Sequence, residues 1–373
     1  MAGSRVDLLL DARHIRQSGI GTYIASQLPH VEKTFADRGL SLAVLADGDK
    51  LDNLRSSTEV VIAEPADAAM YSVREQQAWS NALSRIRPRA IWLPHYPFPL
   101  ASFRPGNRRT LVFSTIHDTL HLQPGSVTGQ GRGHRVYART MMGLDARRCR
   151  TVFVPSEATA TGLRAAYPRA PLMVAPIPLD DQWFAPADPE LSPIQGRYIL
   201  FVGNAKWHKN LPLLLKAYGS VASSIPQNLV IAGGGESVRT LDERIDLLAA
   251  DHADRVRIAG RMEFDALRSL VAGADLLVMP SFHEGVGLPP LEAMASKTAV
   301  LASRIPSLQE TCGEAAEYFD PHDATELADL LRTYGGGDDA RAALAARGFA
   351  HVTQRQSQIS LSATAEAICS ELN

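Results

Sequence analysis

The sequence predicts an α/β protein made of doubly wound parallel sheets, and three observations carry that expectation. Short apolar runs such as Leu42 to Leu45, Ala90 to Leu93 and Leu276 to Met279 alternate with stretches of helical periodicity, the pattern of successive strand–helix–strand units. Several of these runs lead through glycine turns into a helix, as in IAGGGES (Ile231 to Ser237) and HEGVGLPPLEAMA (His283 to Ala295). That frame sets a helix N-terminus beside whatever lies beyond the strand's carboxyl end. The chain, at 373 residues, is long enough for two domains of ordinary size.

Composition narrows the class. Hydrophobic content of 45% and charged content of 21% are those of a soluble globular protein. No apolar run reaches the length of a membrane span. MAGSRVDLLLDARH carries an acidic residue inside its apolar run, so it reads as a first strand and not a signal peptide. Cys149, Cys312 and Cys369 are far apart, with no metal spacing, which implies a reducing compartment and no disulfide framework. Net charge is −2, yet residues 1–178 hold 22 Lys+Arg against 14 Asp+Glu (+8) and residues 179–373 hold 16 against 26 (−10). A basic first half suits an anionic partner, either a phosphate-bearing acceptor or an anionic membrane surface; drift in surface composition is the bland alternative, and the arginine-rich helix tips the balance to a partner.

Taken in order, Val6 to Leu10 is a buried strand running into DARHIRQSGIGTYIASQL, where Gly19 and Gly21 precede a helical pattern. The glycines serve a tight turn or a phosphate cradle equally well. Asp11, Arg13 and His14 fall at the same mouth. Further strands are expected at Leu42 to Leu45, Val60 to Ala63, Ala90 to Leu93 and Leu111 to Thr115, with a helix near Ser72 to Ile86. Asp47-Gly-Asp49 is formally a D-x-D metal motif but reads as a turn, since no other ligand cluster supports a metal. The loops after strands are where ligands sit in such sheets. His95 and Tyr96 in one loop are placed to shape an acceptor mouth, and His117-Asp118 opens another. GRGHRVYARTMMGLDARRCR (Gly131 to Arg150) has amphipathic helical spacing, with Val136, Met141 and Leu144 apolar and Arg135 and Arg139 among its six arginines. Such a helix can lie on an anionic membrane, clamp a pyrophosphate or form a solvated face. Ser156 then suits a helix N-cap.

The first domain is expected to span 1–178, with a proline-rich link at Leu172 to Asp181, and the second 179–354. Tyr198 to Val202 is a buried strand, Gly203 begins a loop holding Asn204, Lys206 and Lys209, and Asn210 suits an N-cap. A cation there would neutralise a departing diphosphate, although lysines before a helix more often face solvent. VRIAGRMEFDAL gives another strand, then Gly260-Arg261 and a helix. In the stretch Met279 to Glu310, Gly285 and Gly287 make a loop, Pro289 and Pro290 suit a first helical turn, and Glu284 and Glu292 stand at the ends of a Glu-x7-Glu spacing. The amides of Gly285, Val286, Gly287 and Leu288 then form a backbone anion site. Tyr334-Gly-Gly-Gly-Asp338 reads as a turn, and 355–373 as a last helical region.

These segments carry a family resemblance, strongest from Tyr198 to Asp320. Glu-x7-Glu within EGVGLPPLEAMA, VGNAKWHKN, GIGTY and the HD pair at His117 resemble retaining glycosyltransferases of family 4 with the GT-B fold. The resemblance implies two Rossmann-like domains facing across a cleft, with the last helix crossing back to the first. It implies that Glu284 lies beside the donor sugar, that Glu292 bonds the nucleotide ribose, and that the glycine-loop amides hold sugar and diphosphate. Lys209 would grip the donor phosphates, His117 would reach the sugar, and the backbone around Arg261 would meet the base. Thr22, Asn204 and His208 stand where the family often has arginine, which leaves Lys206 as the second candidate cation.

The implied activity is transfer of a sugar from a nucleotide-sugar to a hydroxyl acceptor, with Glu284, His117 and Lys209 at the reaction centre, no metal and no cofactor. Segment likeness to bacterial mannosyltransferases makes GDP-mannose the first donor and a glycan or polyprenyl-diphosphate-linked chain the acceptor, at the cytoplasmic side of a membrane. UDP- and dTDP-sugars are the alternatives, as are a phosphorylase- or epimerase-like enzyme and a non-catalytic glycan-binding protein. Nucleic acid is not expected, because the basic charge is not interleaved with aromatics.

Overall fold

The computed structural model describes residues 6–15, 18–48, 51, 54–233 and 254–372. The chain forms two compact units: residues 1–122, 132–178 and 359–373 make the first, and 123–131 and 179–358 the second. In the first, β1 (Leu8–Asp11), β2 (Leu42–Ala46), β3 (Glu59–Ile62), β4 (Ala90–Leu93), β5 (Leu111–Thr115), β6 (Thr151–Val154) and β7 (Leu172–Val174) form one sheet in the order β3-β2-β1-β4-β5-β6-β7. In the second, β8 (Tyr198–Val202), β9 (Asn228–Ala232), β10 (Val256–Gly260), β11 (Leu276–Met279), β12 (Ala299–Ser303) and β13 (Glu317–Phe319) run β10-β9-β8-β11-β12-β13. All pairings are parallel. Each order reverses beside its first strand, between β1 and β4 and between β8 and β11, and such switch points open a crevice beyond the strands' carboxyl ends.

The first unit's helices are α1 (Ser18–Asp37), α2 (Val73–Ile86), α4 (Arg132–Arg148), α5 (Glu157–Ala166) and the C-terminal α12 (Ala363–Leu372). Ser72 caps α2 by accepting from the Glu75 amide, and Ser156 caps α5 by accepting from the Thr159 amide, each offsetting orphan donors of a first turn. Gly19 and Gly21 lie inside the first turn of α1, not in a loop before it. A Cβ on Gly21 would stand 2.5 Å from the Ile15 carbonyl oxygen and 2.8 Å from that of His14. Close packing of the preceding turn against the helix therefore requires that glycine; nothing lies near Gly19. In α4 the core-facing stripe is Ala138, Met141, Met142 and Ala146, with Leu144 packed at its edge. Val136, expected on the apolar side, is 64% exposed. α12 packs on α1, and Arg150 Nε donates to Glu371 Oε2 at 2.6 Å.

The second unit holds α3 (Gly125–Thr128), α6 (Leu211–Val221), α7 (Phe264–Ala272), α8 (Leu288–Ala295), α9 (Pro306–Cys312), α10 (Ala324–Gly336) and α11 (Asp338–Gln358). Its central strands are buried along their length; Leu276, Leu277 and Val278 are each fully enclosed, worth about 1.5–3 kcal/mol apiece. Two expectations fail here. The Tyr334-Gly-Gly segment belongs to α10, because Gln227 Nε2 donates to the Gly335 carbonyl at 2.7 Å and packs where a Cβ would sit. The last helical region is two helices, α11 ending at Gln358 and α12 starting at Ala363. Gly234 to Ser237 and Asp49 lie outside the described residues.

A buried ionic network lies at the first unit's switch point. Arg13 forks onto Asp11, with Nε–Oδ1 at 2.8 Å and Nη2–Oδ2 at 2.7 Å. Glu75 Oε1 meets His95 Nε2 at 2.8 Å, Arg13 Nη2 at 3.7 Å and His14 Nε2 at 3.8 Å, while its Oε2 accepts from the Tyr71 amide at 2.7 Å. Burial alone would raise both carboxyls. The nearby His14 ring, the His95 hydrogen bond and the Arg13 charge instead hold Glu75 down at about 2, and Arg13 holds Asp11 at about 2. Because the folded pKa lies below the ordinary one, this stabilisation is present above about pH 4.5 and is lost as pH falls toward about 2. Denaturant unfolding across that window should show stability falling with acid. Glu75→Gln should cost on the order of 2 kcal/mol at neutral pH and flatten the fall; a variant with the parent's slope would refute the assignment.

Candidate active site

At the second unit's switch point, the loops after β8 and β11 meet. Lys209 Nζ donates to Glu284 Oε1 at 2.7 Å, and Ser281 Oγ donates to the same oxygen at 2.6 Å. The lysine and glutamate side chains are 14% and 11% exposed, sheltered enough that the pair is screened less than a surface ion pair. Asn210 stands at the helix-cap position but does not cap α6. It adopts a left-handed backbone (φ 53°), and its Nδ2 donates to the carbonyls of Pro280 and Pro321 at 3.0 and 2.8 Å. The Phe282 amide donates to the His208 carbonyl at 2.8 Å. The two loops are thus pinned on either side of the Lys209–Glu284 contact.

Glycines end the neighbouring strands. Gly203 follows β8, Gly233 follows β9 and Gly260 ends β10. A Cβ on Gly233 (φ 98°) would stand 2.8 Å from the Gly203 carbonyl oxygen, so the edge stays bare backbone where a ligand can approach. The Asn204 Oδ1 is buried without a hydrogen-bond partner, and Lys206 and Arg261 are exposed. Gly285, Val286 and Gly287 form the loop after β11, Gly287 taking φ 84° just before α8. Since α8 begins at Leu288, Pro289 and Pro290 fill its next two positions and carry no N–H. Of the first three helical residues only Leu288 offers an amide, so the free amides here belong chiefly to the loop.

Glu292 sits one turn into α8. Its carboxylate is partly buried, with no hydrogen-bond or ion-pair partner among the described residues, and burial pushes its pKa up to about 7. A carboxylate so placed wants neutral donors: a pair of hydroxyls on adjacent carbons would satisfy its two oxygens.

The first unit's expected residues divide. Arg13, His14, His95 and Tyr96 are buried at 6% exposure or less. They are not free side chains at a mouth: the first three join the Glu75 network, and Tyr96 stacks on Tyr71 at 5.1 Å. His117 Nε2 donates to the Pro94 carbonyl at 2.7 Å, tying the loops after β5 and β4, and burial lowers its pKa. A neutral ring bonded through Nε2 leaves Nδ1 as the acceptor. Arg139 reaches the Leu122 carbonyl at 3.0 Å, and Arg135 Nε is buried without a partner. The sequence reading missed Ser281 and Glu75. Ser281 lies three residues before Glu284, and Glu75 stands in a Ser72-x-x-Glu capping-box pattern, which marks a helix start and not a buried network.

Residues 187–350 match the family model described as glycosyl transferases group 1. The O-antigen chain mannosyltransferase RfbU of Salmonella typhimurium is 25% identical over 292 residues, 76% of this chain and 80% of that protein. The O-antigen chain mannosyltransferase B of Escherichia coli is 30% identical over 162 residues, 42% of each chain. Sucrose-phosphate synthase from Thermosynechococcus elongatus superposes with a TM-score of 0.75 at 20% identity, covering 98% of both chains. Anabaena Alr3699/HepE, solved in complex with UDP and glucose, gives 0.72 at 17% identity over 98% of this chain and 99% of that one. The matched second unit, these relatives and the full-length likeness of fold support a glycosyltransferase of GT-B fold, similar to family 4 and the group 1 transferases.

Proposed function

We propose that this glycosyltransferase is a retaining, metal-independent enzyme that moves mannose from GDP-mannose to a hydroxyl of a glycan or polyprenyl-diphosphate-linked acceptor, in surface-polysaccharide synthesis at the cytoplasmic side of a membrane. The observation that carries the reading is the Lys209–Glu284–Ser281 cluster at the β8/β11 switch point, with the unpartnered Glu292 one turn into the helix that follows its loop. The mannosyltransferase names of the Salmonella and Escherichia coli relatives support the sugar. UDP in the Anabaena complex keeps a UDP-sugar as the second reading.

In this mechanism the bond between the sugar's anomeric carbon and the phosphate oxygen breaks first. Lys209, aided by Lys206 and the Gly285 to Leu288 loop amides, stabilises the departing diphosphate. The acceptor hydroxyl adds to the face that the phosphate left, and its proton passes to a phosphate oxygen. Glu284 and His117 orient the sugar, and Glu292 holds the ribose diol. Lys209 exchanges its Glu284 partner for phosphate oxygens as donor enters.

Three measurements test this. Melting with GDP, UDP, dTDP or ADP should show one selective shift, about 2.7 kcal/mol at a hundred times the dissociation constant, unchanged by Mg2+. A shift that requires Mg2+ would sink the metal-free assignment, and no shift at all would sink the nucleotide site. Lys209→Ala should lower turnover about a hundredfold or more with a smaller change in donor KM; parental kinetics would remove it from the reaction. Diol donors favour the ionised Glu292, so binding releases its proton. Nucleotide affinity should therefore rise from about pH 6 to 8, through a free-enzyme pKa of about 7. In Glu292→Gln that rise should vanish and affinity drop about tenfold; a persisting rise would assign it to another group.

A further inference from the structure

We infer that His14, Glu75 and His95 form a binding site for one divalent transition-metal ion, zinc by the chemistry of its ligands. His14 follows β1, His95 follows β4 and Glu75 lies in the first turn of α2, so the ion would tie three separate segments together at the first unit's switch point. One ligand atom from each residue lies within 4.8 Å of the other two. Glu75 Oε1 stands 2.8 Å from His95 Nε2 and 3.8 Å from His14 Nε2. Tetrahedral ligands at about 2.0–2.1 Å from zinc stand about 3.4 Å from one another. The two observed separations bracket that value, and all three residues are buried.

Two observations besides the spacing point to a ligand. His14 is fully enclosed, yet neither ring nitrogen has a hydrogen-bond partner among the described residues. A buried imidazole left unmet on both sides is costly, and coordination takes up one nitrogen. The second observation is charge. Asp11, Glu75 and Asp47 bring three carboxylates to the network against the one guanidinium of Arg13, and Asp47 acts electrostatically on both Arg13 and His14. With both imidazoles neutral, the form that binds metal, that set is two positive charges short, and buried charge has to be paired. A divalent ion supplies both charges, whereas a proton on one imidazole supplies one. Two imidazoles and a carboxylate suit zinc, while Mg2+ takes oxygen ligands. The fourth position falls to a water, and Arg13 Nη1, buried without an acceptor, is a donor in the same network.

The site stands on the first unit and on groups that the sugar-transfer proposal does not use, so it holds or fails apart from the donor. Its preference for zinc leaves the Mg2+ comparison with nucleotides unaffected. The test is metal analysis of the untagged full chain, made in zinc-supplemented medium and dialysed against EDTA. The parent should keep about one zinc per chain. His14→Gln removes a ligand from a ring without hydrogen bonds, and should bind zinc at least about tenfold more weakly. His134→Gln, at an exposed histidine of the same unit, should keep the parent's zinc. Stripping the zinc by refolding in EDTA should lower the melting temperature of the parent and leave that of His14→Gln unchanged. Refolded with Co2+, the parent should show the visible absorption of a four-coordinate ion and lose it on addition of zinc. If His14→Gln does not fold, the parent's zinc content and cobalt spectrum decide. A parent that holds no zinc overturns the inference and assigns the missing charge to protons on the imidazoles. Zinc kept equally by His14→Gln overturns it too, and places the ion elsewhere.

Discussion

The loops at the carboxyl edge of the second unit's sheet are held together by one side-chain amide. Asn210 donates to carbonyls in the loops after β11 and β13 while belonging to the loop after β8. It does so from a left-handed backbone, a conformation that asparagine tolerates better than most residues. Lys209 immediately precedes it, and the Phe282–His208 backbone bond closes the other side. The lysine and Glu284 therefore meet because the main chain around them is fixed, not because two long side chains happen to find each other. A site on pinned loops keeps its geometry when its charges change partners.

The two glutamates of the Glu-x7-Glu spacing occupy opposite electrostatic settings. Glu284 has a cation and a hydroxyl on one oxygen. Glu292 has neither, and burial pushes it up to about 7. The proposed division of roles follows from those settings: a carboxylate already bound to a cation and a hydroxyl is held in place, and one without a partner is open to neutral hydroxyls. The spacing is visible in any sequence that carries it; the division of roles comes from what surrounds each group.

How much was legible follows the same line. Strands β4, β5, β8 and β11 have the limits that the apolar runs predict, because a strand buried on both faces reads as an unbroken run. Ser72 and Ser156 cap as their residue type suggests. What misled was local propensity overruled by distant contacts. The glycines of Tyr334-Gly-Gly stay helical because Gln227 needs their space and a carbonyl. Asn210 looks like a cap and acts as a clamp, since its partners lie 70 and 111 residues away. Val136 fits a helical stripe by spacing, but the helix is rotated so that Ala138 and Met142 face the core. The Glu75 network escaped because its members come from three separate loops and a helix, and no local pattern joins them.

The charge asymmetry of the chain resolves in the same way, by asking what each cation touches. Arg13 is buried and spent on Asp11 and Glu75. Arg89 is paired with Asp7, and Arg150 with Glu371. These bind the first unit's own elements together, and the exposed pairs among them contribute little to stability. Arg104, Arg108 and Arg148 are exposed and have no carboxylate partner among the described residues, and Arg148 lies over the Phe103 ring, which also meets Phe98. Drift in composition would scatter such residues among acidic neighbours. Arg104 and Arg108 lie on a short segment held to α2 by three hydrogen bonds, and Arg148 on α4, so the basic half divides into cations paired inside the unit and cations left on its surface.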